Sequence, residues 1–189
     1  MRTFIAVPIS AAVRKRALDL IDRLGVAEAP VKWVAAANLH FTLKFLGEVQ
    51  NEATADVCAR VLEAVSGHSP FPLVVHGAGA FPRPARPRTI WLGTADGSDA
   101  MIALQRSIEK ALLPMGFHRE QRRFVPHLTI GRVRSGPQKA DALAARIEKN
   151  ANFAACTTMV DEVIVMASFL DSTGPTYQRV GRAPLTGDG

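Results

Sequence analysis

His40 and Thr42 stand two residues apart in the run HFTLKFLGEV, and His127 and Thr129 repeat that spacing in HLTIGRV. A strand turns alternate side chains to one face, so each run can present an imidazole beside a hydroxyl. The other histidines, His68, His76 and His118, have no threonine two residues on. Imidazole titrates at about pH 6.5 and can give or take a proton around neutrality. Two imidazoles facing one another suit in-line displacement at a phosphodiester. One takes a proton from the attacking water and the other gives a proton to the departing oxygen. The threonine hydroxyls can donate to the non-bridging phosphate oxygens. Spacing alone leaves open which histidine is the acid and which the base. No third His, Cys or carboxylate stands at ligand-like spacing on either run, so no metal is expected. No cofactor is expected either, because the G-x-G at Gly77 lacks the third glycine and following helix of a dinucleotide fingerprint.

The elements that must hold these residues follow from periodicity and punctuation. One helix runs from N-cap Ser10 to Gly25 with Val13, Ala17, Leu20, Ile21 and Leu24 inward. A second spans Asn51 to Gly67 on Cys58, Val61, Leu62 and Val65. A third starts at Ser98, buries Met101, Leu104, Ile108 and Leu112, and stops at Pro114–Gly116. A fourth follows Ser135, with Pro137 in its first turn and Leu143, Ala144 and Ile147 inward. Strands are expected at Thr3–Ile9, Val31–Ala35, His40–Leu46, Phe71–His76, Thr89–Thr94, His127–Val133, Val160–Phe169 and Thr176–Val180. The Gly/Pro/Arg-rich segment from Gly77 to Thr89 reads as a loop. Strict alternation puts His40, Thr42 and Lys44 on one strand face, and Phe41, Leu43 and Phe45 on the core face. Adjacent strand pairs favour antiparallel sheet covered by helices, an α+β protein.

The unit helix, His-x-Thr strand, helix occurs twice. Two pseudo-symmetric lobes around a central cleft are therefore expected, in a single bilobal domain over residues 1–189 that carries one motif per lobe, at 40–42 and 127–129.

Composition excludes several classes. A chain of 189 residues with 21% charged and 48% hydrophobic residues is neither disordered nor fibrous. Two cysteines, Cys58 and Cys156, make no disulfide framework and read as inert core thiols. No apolar run approaches a membrane span, and the cationic cluster Arg14–Arg16 follows the first apolar stretch, the wrong order for a signal peptide. A soluble cytoplasmic protein is expected. No heptad argues for a dimer, so a monomer is expected. Residues 81–134 hold nine arginines and Lys110 against four carboxylates, which accounts for the chain's whole net charge of +6. Such a segment suits an anionic partner such as a nucleic acid or phosphate ester.

On these residues the sequence resembles the two-histidine phosphoesterase superfamily and, within it, the RNA 2′,3′-cyclic phosphodiesterases, also called 2′-5′ RNA ligases. The resemblance spans nearly the whole chain: TFIAVPIS, VKWV ahead of NLHFTLKFLGEV, RTIWLGT, FVPHLTIGRV and the closing SFLDSTGPTYQRV. It implies a bilobal α+β fold and metal-independent hydrolysis of RNA or oligonucleotides ending in a 2′,3′-cyclic phosphate. It also implies that His40 protonates the leaving 3′ oxygen and His127 takes the proton from water, leaving a 2′-phosphomonoester. The reverse reaction would join a cyclic phosphate to a 5′-hydroxyl. Thr42 and Thr129 are then substrate-binding residues. Arg132 completes an H-x-T-x-x-R pattern of the second motif, where the first copy has Phe45. Strict alternation aims Arg132 away from the cleft unless the strand bulges at Gly131. Two other readings remain: a phosphodiesterase acting on a small cyclic nucleotide or a cyclic phosphate of ADP-ribose, and a non-catalytic RNA-binding module.

Overall fold

The computed structural model describes residues 1–25, 27, 29–134, 140–171 and 174–188. In chain order the elements are β1 (Arg2–Val7), α1 (Ala11–Gly25), β2 (Val31–Trp33), β3 (Phe41–Glu48), α2 (Thr54–Val65), β4 (Phe71–Arg83), β5 (Arg86–Thr94), α3 (Ser98–Leu112), β6 (Leu128–Val133), α4 (Ala140–Lys149), β7 (Ala154–Val160), β8 (Glu162–Asp171) and β9 (Gly174–Pro184). All the pairings are antiparallel, and the strands form one curled sheet in the order β7-β4-β5-β6-β3-β1-β8-β9, with β2 pairing β6. The two motif strands, β3 and β6, lie at the middle of that order. The expected α+β architecture of antiparallel sheet with outer helices is what the chain adopts.

Local chemistry explains the helices. The Ser10 hydroxyl accepts the Val13 N–H at 3.2 Å and caps α1. Helix α2 buries Val57, Val61 and Val65, a stripe four residues apart. That stripe leaves Leu62, expected inward, on the solvent side. Helix α3 buries Met101, Leu104, Ile108 and Leu112 as expected. The expected start of the fourth helix at Ser135 and Pro137 lies outside the described residues.

Three strand expectations change. The segment from Gly77 to Thr89 is not a loop: β4 and β5 continue as a hairpin down to the Arg83–Arg86 pair. The prolines there are tolerated because Pro82 faces Pro87, and neither needs to donate across that step. The run Val160–Phe169 is divided between β7 and β8 at Asp161. Cys156 lies in β7 and is exposed, not core.

One apolar core fills the side of the sheet beneath the helices, with Ile5, Phe41, Leu43, Leu128 and Ile130 from the central strands. A smaller cluster of Phe4, Ala6 and Ile164, with Met166 and Tyr177 against it, occupies the opposite side of β1 and β8. That second cluster borders His40, through Phe4 and Tyr177.

Candidate active site

Strands β3 and β6 meet through the pair Phe41–Leu128. Both side chains are buried on the core side. One antiparallel step to either side sets His40 across from Thr129 and Thr42 across from His127. The four side chains thus lie on the face away from the core, diagonally about a local twofold axis through the Phe41–Leu128 pair. All four are half-buried.

Each imidazole is held in the same way. The Nδ1–H of His40 donates to the Asn38 carbonyl at 2.7 Å, and the Nδ1–H of His127 donates to the Val125 carbonyl at 2.7 Å. In both copies the acceptor lies two residues ahead of the histidine. A carbonyl can only accept, so Nδ1 carries the hydrogen and Nε2 is left to exchange protons. On the first strand the Thr42 hydroxyl donates to Nε2 of neutral His40 at 3.1 Å.

Rings steady both imidazoles. Phe4 stacks on His40 with centroids 4.8 Å apart, and Tyr177 meets it edge-on at 5.5 Å. Phe81 meets His127 edge-on at 5.0 Å. Burial pushes both histidines below their ordinary pKa, against the upward pull of the Asn38 and Val125 carbonyls. His127 is pushed down further by the charge of Arg132. The same charge opposes the upward shift that burial imposes on Tyr177. Arg132 therefore acts electrostatically on groups from both halves of the sheet.

Arg132 reaches that position through a bulge. Along β6 the partners of Ile90 and Trp91 are Gly131 and Thr129, so two residues of β6 advance against one of β5. Ile130 and Gly131 are both buried, and Arg132 is exposed. Gly131 permits this because a Cβ there would lie 2.7 Å from the Trp33 ring.

The same irregularity recurs on β3, where alternation misled the sequence reading. Ile5 and Ala6 pair with Lys44 and Thr42, again two residues against one. Lys44, expected beside His40 and Thr42, is instead buried at 3% exposure. It donates from Nζ to Glu109 Oε1 at 2.9 Å and to the His118 carbonyl at 2.8 Å. Phe45, expected in the core, is 59% exposed and tilts against Phe4 at 6.0 Å. Phe4, Phe81 and Phe45 are site neighbours that sequence reasoning did not find. For Phe45 the only available signal was its offset, shared with Arg132.

Beside His127 lies a cavity of about 670 Å³ walled by Arg86, Arg88, Arg122 and Arg123 over Phe81 and Phe124. Arg83 is not among its lining residues, and Arg119 lines a neighbouring cavity. Among the described residues, no group of three or more His, Cys, Asp or Glu side chains comes together, and no helix is long and apolar enough to cross a membrane.

Comparison with known proteins agrees with this architecture. An RNA 2′,3′-cyclic phosphodiesterase of Methanothermobacter thermautotrophicus is 38% identical over 177 residues, covering 94% of this chain and 95% of its own. One of Thermotoga maritima is 35% identical over 178 residues, covering 94% and 92%. Among solved structures, Escherichia coli LigT complexed with 3′-AMP superposes with a TM-score of 0.78 at 26% identity, covering 98% of both chains. A Thermus thermophilus protein, TT0787, shares the fold at a TM-score of 0.83 and 22% identity, covering 100% of both. The family model of the 2′-5′ RNA ligase superfamily matches residues 8–168, and the chain belongs to that superfamily.

Proposed function

We propose that this protein hydrolyses the terminal 2′,3′-cyclic phosphate of RNA or an oligonucleotide to a 2′-phosphomonoester, with no metal, by His40 and His127 acting as acid and base. The reading rests above all on the diagonal of the two His-x-Thr pairs, set by the Phe41–Leu128 register. The relatives named for this activity supply the substrate class.

In this reading the phosphate sits on the local twofold axis between the two Nε2 atoms. His127 takes a proton from water, whose oxygen bonds to phosphorus as the bond to the 3′ oxygen breaks. His40 gives its proton to that oxygen. Thr42 and Thr129 donate to the non-bridging oxygens, and Arg132 offsets the charge gathered on them. The asymmetry of the site supports the order of roles. Arg132 disfavours protonation of His127, as suits a base, and its charge is not among the causes that shift His40. The leaving oxygen belongs to the ribose, so the nucleoside lies towards His40, where exposed Phe45 and half-buried Tyr177 offer a stacking surface for a base. With a 5′-hydroxyl in place of water as the attacking group, the same residues would open the cyclic phosphate to a 2′,5′-phosphodiester and so join two strands.

The reading also takes the protein to be a cytoplasmic monomer with the two halves of the sheet as lobes of one domain. Sedimentation at twice the chain mass would argue against the monomer. The activity itself is tested by incubating the protein, in EDTA, with an oligoribonucleotide ending in a 2′,3′-cyclic phosphate. A terminal 2′-phosphate is expected. A 3′-phosphate, or turnover only with added divalent metal, counts against the reading.

A further inference from the structure

Hydrolysis asks for room for one water on the base side of the phosphate, and a water's share of liquid volume is about 30 Å³. The cavity beside His127 is far larger, at about 670 Å³, within the range of sites that take a whole small ligand. Four arginines wall it: Arg86 and Arg88 from β5, and Arg122 and Arg123 from the segment leading to the second motif. Among the described residues none of the four has an ion-pair partner. The one carboxylate residue lining the cavity is Glu120. Phe81, Phe124 and Val125 give it an apolar floor.

The cationic wall is also built from within. Lys44 leaves the motif face and is buried against Glu109 of α3, 2.9 Å away. It holds the His118 carbonyl at 2.8 Å, while Glu109 Oε1 accepts the Glu120 N–H at 3.1 Å. This buried pair fixes the backbone at 118 and 120, directly ahead of Arg122 and Arg123.

We propose that this cavity is a second oligonucleotide subsite, which holds the leading phosphates of a strand whose 5′-hydroxyl replaces water as the attacking group. The proposal rests on the reading that His127 is the base, because in-line attack places the nucleophile's strand on the side of the base and the ribose of the cyclic phosphate on the side of the acid. The 5′ oxygen bonds to phosphorus and its proton passes to His127. The bond to the 3′ oxygen breaks, and His40 supplies the proton that oxygen takes. The product is a 2′,5′-phosphodiester, and no other reactant is consumed. The arginines act as charge-assisted donors to phosphate oxygens on the incoming strand.

The test is a partition. An oligoribonucleotide ending in a 2′,3′-cyclic phosphate is incubated with an excess of a second oligoribonucleotide bearing a 5′-hydroxyl, and joined and hydrolysed products are counted. Their ratio cancels any loss of activity common to both reactions. In the Arg88→Gln/Arg123→Gln variant the ratio is expected to fall about tenfold or more. For the unaltered protein, the joined fraction is expected to fall with rising salt, with a log–log slope of about −0.7 for each phosphate held. An unchanged ratio in the variant, or a joined fraction insensitive to salt, overturns the proposal. So does hydrolysis with no joined product. Absence of hydrolysis as well would instead overturn the catalytic reading of the two histidines.

Discussion

Phe45 follows His40 at the offset at which Arg132 follows His127, and each is brought to the exposed side by a bulge just past its motif threonine. The two halves of the sheet are alike in backbone and unlike in chemistry. At the bulged position one half carries an aromatic ring, Phe45, which tilts against Phe4, and the other carries a guanidinium, Arg132. A symmetric frame thereby carries an apolar ring on one side and a positive charge on the other, which the proposed reaction would use for a base and for phosphate oxygens.

Replacing Phe45 by alanine should weaken binding more than chemistry. Stacking of a base on an aromatic ring contributes about 1–3 kcal/mol, so KM should rise by about 5- to 150-fold while kcat falls less. Steady-state kinetics on a short oligoribonucleotide cyclic phosphate would show this. An unaltered KM would mean that the base does not rest on that ring.

The bulges are also where the sequence was least legible. The His-x-Thr pairs, the four helices and the antiparallel α+β plan can be read from spacing and apolar periodicity, because those signals are local. A bulge sets two residues of one strand against one of its neighbour, a relation that a period of two along one strand cannot carry. Gly131 hinted at the second bulge. Lys44 concealed the first, because a lysine reads as solvent-facing until its buried partner Glu109 is known. The β4–β5 hairpin was hidden by its prolines, which normally signal a loop.

Lys44→Met should destabilise the protein, because it leaves the Glu109 carboxylate buried without its cation. Removing one partner of a buried pair costs about 3–5 kcal/mol, and for a chain of this size each kcal/mol lowers Tm by roughly 2–4 °C. Lys44→Met/Glu109→Leu should recover much of that loss, since an apolar pair of similar volume removes the orphaned charge. Thermal unfolding of the two variants checks both claims; a Tm unchanged in Lys44→Met refutes the first.

The pH dependence follows from two lowered pKa values. His127 must be neutral to accept a proton, so kcat/KM rises as pH climbs through its pKa. His40 must be protonated to donate, so kcat/KM falls as pH climbs through its own. Burial holds both below the ordinary value of about 6.5, which predicts a bell whose maximum lies on the acid side of neutrality. With substrate bound, the negative phosphate beside His40 favours its charged form, so the alkaline limb of kcat should lie above that of kcat/KM. A maximum above neutrality for kcat/KM contradicts this.

The roles of the two histidines can be told apart by the leaving group. A nitrophenyl phosphodiester departs without help from an acid. His40→Ala should therefore keep most of its activity on that substrate while losing it on a ribose cyclic phosphate. His127→Ala should lose activity on both. The opposite pattern would exchange the two roles.

The central claim is that two imidazoles, oriented by the carbonyls of Asn38 and Val125, move the protons of the reaction. Its most direct test is kcat/KM for His40→Ala and for His127→Ala on an oligoribonucleotide 2′,3′-cyclic phosphate, with circular dichroism confirming that each variant is folded. Each proton transfer contributes about 10²–10⁴ in rate, so a loss of that size is predicted for each variant. Folded variants that hydrolyse the substrate within about threefold of the unaltered rate would contradict it, since general acid–base catalysis cannot lose a partner at so little cost.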